Sequence, residues 1–214
     1  MDLLDNVIQP YAWGSRTAIA ELLGQPSPSA SCQAELWMGA HPGAPSRVNR
    51  PTGGVTLLEA IRTAPERELG EQVTRRFGAE LPFLLKVLAA ETPLSLQTHP
   101  SLAQAREGYA RENALGVPPG APHRNYKDAN HKPELICALT PFDALCGFRG
   151  ADETLALFDA LGLGALEPLL APLRASPDAK GVARMFEALM TLPRESRKPL
   201  VDAVVSACGA RAEI

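Results

Sequence analysis

Two short stretches of this chain carry side chains that can hold a divalent cation. Leu94-Ser95-Leu96-Gln97-Thr98-His99-Pro100 alternates apolar and polar residues, and Asn130-His131-Lys132-Pro133-Glu134 runs straight into an apolar segment, 135–139. Alternate side chains of a β-strand share a face, so an extended 94–99 puts Ser95, Gln97 and His99 on one side and Leu94 and Leu96 on the other. An amide oxygen, an imidazole and the Glu134 carboxylate are ligand types for a divalent metal, zinc foremost. A polar strand face with one histidine is by itself more often solvated surface. The second stretch shifts the balance, because ionisable groups at the mouth of a buried strand cost free energy unless they are paired or coordinate something.

The elements that must position these groups are readable in outline. Apolar runs at 34–39, 81–90 and 135–139 have the length and composition of strands, and 142–148 reads as a further short strand or turn. Residues 40–55, rich in Gly and Pro, read as loop. Lys86 interrupts the apolar run 81–90; it either snorkels to a sheet edge or sits in a polar pocket as a functional cation. Glu35 reads as an exposed strand carboxylate, and Lys132 as a solvated lysine at a strand end. Ser15 and Gly24 bracket a short helix. Thr56 with Glu59, and Ser101 with Gln104, fit capping boxes opening helices, the second running to about Leu115 before Gly116. One further helix is predicted over 66–77. From Gly150 onward the apolar residues recur at helical spacing (Leu155, Phe158; Val182, Met185, Phe186, Leu189; Val201, Val204, Val205, Cys208), which predicts a helical subdomain whose stripes form its core.

Composition narrows the class. A chain of 214 residues can bury a full core, and a formal charge of −3 offers no basic field for nucleic acid. No apolar run is long enough to span a bilayer, and the N-terminus lacks the layout of a signal peptide. Cys32, Cys137, Cys146 and Cys208 form no CxxC pair and are expected to be reduced, buried thiols of a cytoplasmic protein.

Gln97-Thr98-His99 followed by Tyr126-Lys127-Asp128-Ala129-Asn130-His131-Lys132-Pro133-Glu134 resembles the signature of the type I phosphomannose isomerases. The resemblance extends to Tyr11-Ala12-Trp13-Gly14, to Ala34-Glu35-Leu36-Trp37-Met38-Gly39 with His41-Pro42, to Leu84-Leu85-Lys86-Val87-Leu88 and to Leu145-Cys146-Gly147-Phe148. These blocks cover residues 7 to about 150. The remainder carries no motif of its own.

The resemblance implies a mixed β and α fold, a cupin-like β jelly roll, incomplete in this chain, with an α-helical insertion. It assigns 1–150 to the catalytic domain and 151–214 to an incomplete helical subdomain. One Zn2+ per chain would be held by Gln97, His99 and Glu134, with a fourth ligand, a histidine, and a catalytic arginine beyond residue 214. Lys132, Ser95 and Lys86 would serve proton transfer or substrate binding, and Trp13 and Glu35 would line the sugar pocket. The implied reaction interconverts mannose 6-phosphate and fructose 6-phosphate through an enediol, supplying GDP-mannose and other glycan precursors. The implied protein is a cytoplasmic monomer that binds a hexose phosphate and neither nucleic acid nor membrane. The 214-residue chain alone is expected to be inactive or nearly so. Two rivals remain at the level of sequence. A non-haem oxygenase would need two histidines and a carboxylate, and only His99 is well placed. A metal- or sugar-binding module without isomerase activity would carry the same signature.

Overall fold

The computed structural model describes residues 2–50 and 53–211. They fall into two compact units, Met1–Pro133 and Glu134–Ile214.

The first unit holds two three-stranded antiparallel sheets. One has the order β1 (Leu3–Asp5), β4 (Arg47–Asn49), β5 (Val55–Thr56); the other has β2 (Val7–Gln9), β3 (Glu35–Met38), β6 (Leu85–Leu88). In the second sheet β3 is central, with Ile8 opposite Leu36 and Leu36 opposite Val87. Residues directly opposite share a face. Ile8, Leu36, Met38 and Val87 therefore form one apolar side, and it packs on the fully buried Ile19 of α1 (Ala18–Leu22) together with Ala89. The other side carries Glu35, Trp37 and Lys86. One strand thus separates core from chemistry by alternation alone.

The two predicted capping boxes form, while the N-cap of α1 is Thr17 rather than Ser15. Thr56 accepts from the Glu59 amide while the Glu59 carboxylate accepts from the Thr56 amide, opening α2 (Leu57–Thr63); Ser101 and Gln104 do the same for α5 (Leu102–Ala114). Ser15 Oγ accepts from the amides of Thr17 and Ala18 at the start of α1, and Gly24 follows it at φ +63°. The loop expected over 40–55 instead contains β4 and the start of β5, paired with the N-terminal strand; Pro51 and Thr52 lie outside the described residues. The helix predicted over 66–77 is two helices, α3 (Pro65–Leu69) and α4 (Glu71–Phe77), because Gly70 between them takes φ +82°.

The expected strands at 94–99 and 135–139 do not form, and 142–148, read as a short strand or a turn, is not a strand. Strand structure requires a hydrogen-bonding partner, and among the described residues no strand pairs with these segments. Side chains that these strands would have buried are open to solvent: Leu96 is 73% exposed and Leu135 97%. The burial expected of the cysteines fails for the same reason at Cys137 and Cys146. Cys208, near the end of a helix, is exposed too, and Cys32 is half-buried; all four are free thiols.

The second unit is helical after an extended segment: α6 (Ala151–Leu161), a single 3-10 turn (Gly164–Leu166), α7 (Glu167–Ala175), α8 (Ala179–Met190) and α9 (Arg194–Gly209). Its core gathers Leu161, Leu166, Leu169, Leu170, Leu173, Val182 and Met185. Gly181 lies where a Cβ would come 1.8 Å from the Ser176 carbonyl oxygen, so α7 and α8 approach closely there. The predicted stripe of α9 is only partly core: Leu200, Val204 and Ala207 pack, whereas Val201 and Val205 are exposed. No helix of the described residues is long and apolar enough to cross a membrane.

Candidate active site

Glu35 and Trp37 stand two apart on β3 and so on one face, and Lys86 of β6 lies directly opposite Trp37. The indole Nε1–H donates to Glu35 Oε2 at 2.6 Å, and the Lys86 ammonium stands 3.6 Å from the same oxygen. The ammonium also sits 5.1 Å from the Trp37 ring centroid, within range of a cation–π attraction. Glu35 is buried. A buried carboxylate is tolerated when its charge is both paired and hydrogen-bonded, and here one residue supplies the proton and another the charge. Lys86, on the edge strand β6 and still open to solvent, lies against Trp37 and Glu35.

His41 closes the other side of Trp37. Its ring meets the indole edge-on, centroids 4.8 Å apart, and Nδ1 accepts from the Gly43 amide at 3.1 Å. That acceptor role places the proton of the neutral ring on Nε2. Burial, then the positive charges of Lys132 and Lys86, hold the His41 pKa below its ordinary value, with Asp128 acting the other way. Both lysines therefore stand close enough to His41 to act on it. Lys132 Nζ is 3.2 Å from Asp128 Oδ2, and Asp128 Oδ1 accepts from the Asn130 amide, folding 128–132 into a tight turn.

Trp13 is anchored by its backbone. Its carbonyl accepts from the amides of Glu91 and Thr92, and Gly14 bridges to Ala90, just after β6. A Cβ on Gly14 would lie 2.5 Å from backbone atoms of Ala34, so only glycine permits this approach. The Trp13 ring stacks on Tyr11 at 5.7 Å. Burial, then the negative charge of Glu35, push the Tyr11 hydroxyl above its ordinary pKa, which sets Tyr11 beside the Glu35 group.

Of the residues singled out from sequence, the fold thus gathers Glu35 and Lys86 at Trp37, with His41 against the same ring and Trp13 tied in through Tyr11, while Lys132 pairs with Asp128 and reaches His41 through its charge. Ser95, Gln97 and His99 lie on an exposed stretch without strand pairing, so the shared face argued from alternation does not exist as a strand face. Glu134 is the first residue of the second unit. Trp37 and His41 were legible only as members of a motif. Nothing in residue type or spacing gives the indole a carboxylate partner or the imidazole a neighbouring pair of lysines.

The sequence model of the family described as phosphomannose isomerase type I, catalytic domain, matches residues 1–151. The chain belongs to the type I phosphomannose isomerases. It is 46% identical over 208 residues to the mannose-6-phosphate isomerase of Escherichia coli (strain K12), covering 97% of this chain and 52% of that protein. The Homo sapiens mannose-6-phosphate isomerase is 39% identical over 158 residues, 70% of this chain and 35% of its own length. Among solved structures, the mannose 6-phosphate isomerase of Salmonella typhimurium bound to its substrate fructose 6-phosphate and to zinc superposes with a TM-score of 0.84 at 43% identity, covering 98% of this chain and 52% of that one. The chain spans about half the length of these bacterial phosphomannose isomerases.

Proposed function

We propose that this chain carries the catalytic groups of a zinc-dependent aldose–ketose isomerase that interconverts mannose 6-phosphate and fructose 6-phosphate. The observation that carries the reading is the likeness, over nearly the whole chain, to the Salmonella typhimurium enzyme bound to fructose 6-phosphate and zinc. The proposed fold is a cupin-like jelly roll with a helical insertion, the catalytic part running to about residue 150; the two antiparallel sheets of the first unit are consistent with it.

The donor set fits a zinc ion. Among the described residues no three His, Cys, Asp or Glu side chains are grouped to hold a metal. The ligand set proposed from the family resemblance, Gln97 with His99 and Glu134, would supply one neutral oxygen, one imidazole and one carboxylate. Such a set leaves net positive charge, and a zinc ion so held would polarise the sugar oxygens as a Lewis acid.

The protein's own groups divide the rest of the work. Transfer of a proton between C1 and C2 of the open-chain sugar needs an acid/base group beside the carbons. The family resemblance assigns that role to Lys132, which stands 3.2 Å from Asp128. Lys86, engaged with Glu35 and Trp37, is suited to fixing the carboxylate that would accept from sugar hydroxyls. The Trp13–Tyr11 pair offers an apolar wall for the sugar face, and Ser95 a hydroxyl for substrate oxygens. Free thiols throughout suit a cytoplasmic protein, proposed to act as a monomer.

The reading is tested by titrating the purified chain with zinc and with fructose 6-phosphate in a calorimeter, then assaying isomerisation. One zinc per chain and saturable sugar-phosphate binding are expected, with weak turnover or none. A chain that binds neither ligand ends the proposal.

A further inference from the structure

Away from the Glu35 cluster, one buried ion pair has no part in the chemistry above. Glu112, on the last turns of α5, is buried and accepts two backbone hydrogen bonds from the loop that follows: Asn125 N to Oε1 at 3.1 Å and Tyr126 N to Oε2 at 2.8 Å. Arg124, 4% exposed, lies 3.7 Å from that carboxylate. Its Nε donates to the Tyr126 carbonyl at 2.6 Å, Nη1 to the Val117 carbonyl and Nη2 to Asn113 Oδ1 at 2.7 Å. The Tyr126 ring is pressed onto Gly108 of the same helix, where a Cβ would come 2.4 Å from the ring, and the Arg111 guanidinium covers it.

Both backbone polar groups of Tyr126 are thus held by side chains, its amide by Glu112 and its carbonyl by Arg124. This is more than closing a helix requires, since α5 already ends on its own backbone bonds from Leu115 and Gly116. What the pair fixes is the starting point of 127–133. From there the Asp128 turn carries the chain to Lys132, whose charge acts on His41.

We propose that Glu112 and Arg124 are positioning residues that fix the start of the 127–132 turn and so set where Lys132 stands relative to His41. The importance of that placement for turnover rests on the isomerase reading; the placement itself does not.

The test reads Lys132 through His41. The His41 imidazole is followed by NMR as pH is varied in wild type, Lys132→Ala, Glu112→Ala, Glu112→Gln and Arg124→Lys, with the signal assigned by a His41→Gln variant. Lys132→Ala is expected to move the His41 midpoint upward. Glu112→Ala should reproduce most of that movement while circular dichroism keeps its helical signal. Glu112→Gln retains one acceptor oxygen and should move the midpoint by less than half as much. Where Glu112→Ala does not fold, Glu112→Gln and Arg124→Lys decide the matter with the same readout. A folded clamp variant whose His41 midpoint equals that of wild type overturns the proposal, as does a Lys132→Ala midpoint that stays put. Absence of sugar-phosphate binding by wild type would instead count against the isomerase reading, and the His41 titration would still judge the clamp.

Discussion

The Trp37 indole N–H donates to the Glu35 carboxylate across 2.6 Å, although the two residues are only two apart on one strand. The bond turns a buried negative charge into a stationary one, aimed across β6 at Lys86.

Replacing Trp37 by Phe keeps a ring for Lys86 and removes the donor. A buried acceptor that loses its partner costs roughly 1–3 kcal/mol, so urea unfolding of W37F should show a loss in that range. Replacing Glu35 by Gln in the W37F background should recover part of it, because a neutral amide is cheaper to bury than a carboxylate. An unchanged unfolding midpoint in W37F would mean that the bond is of little consequence.

Gly108→Ala places a methyl inside the Tyr126 ring position. The ring is flanked by the helix and by Arg111, so relief must come from displacing 125–126 and with it the Glu112 bonds. A destabilisation of about 1–3 kcal/mol is expected from such overpacking, opposite in sign to the roughly 0.5–1 kcal/mol gained when alanine replaces glycine at an exposed helix site. Thermal unfolding of G108A against a control such as G120A, where a Cβ meets nothing within 4 Å, separates the two.

The lowered pKa of His41 makes stability depend on pH with a definite sign. Above about pH 6.5, the unfolded value, the ring is neutral in both states and carries no penalty. As pH falls below it, the unfolded chain takes up a proton more readily than the folded one, and stability declines until pH reaches the folded pKa. His41→Gln should flatten this part of the stability curve below about pH 6.5. Denaturant unfolding at several pH values checks it, and a variant with an undiminished slope would place the effect elsewhere.

A ligand that binds only the folded state raises its stability in proportion to the logarithm of its concentration. Under the proposed ligand set, zinc should raise the unfolding temperature of wild type and do so far less for His99→Ala or Gln97→Ala. Chelation should return each protein to its own metal-free value. Equal zinc-induced shifts in wild type and H99A would remove His99 from the set.

What the sequence disclosed, it disclosed locally. The boxes at Thr56 and Ser101 depend on residues three apart, and both form as read. The face of β3 that carries Glu35 and Trp37 follows from alternation once the strand exists. The strand at 94–99 was argued from the same alternation and that at 135–139 from its apolar composition; both are absent, because a strand also needs a neighbour and neither signal names one. Glu112 and Arg124 were passed over since they are twelve residues apart, on a helix and a loop, with no periodicity to link them. His41 was visible as part of a motif, while its two lysine neighbours come from separate segments, at 86 and 132, that only the fold brings near.

Leu135, Ile136, Leu139 and Leu145 all stand in water, between 59% and 97% exposed. Attraction between such groups weakens on cooling and strengthens in sulfate. The purified polypeptide should therefore remain dispersed on ice at low ionic strength, and scatter light when brought to room temperature or salted. Handling temperature, more than pH, will govern how concentrated a clear solution of it can be made.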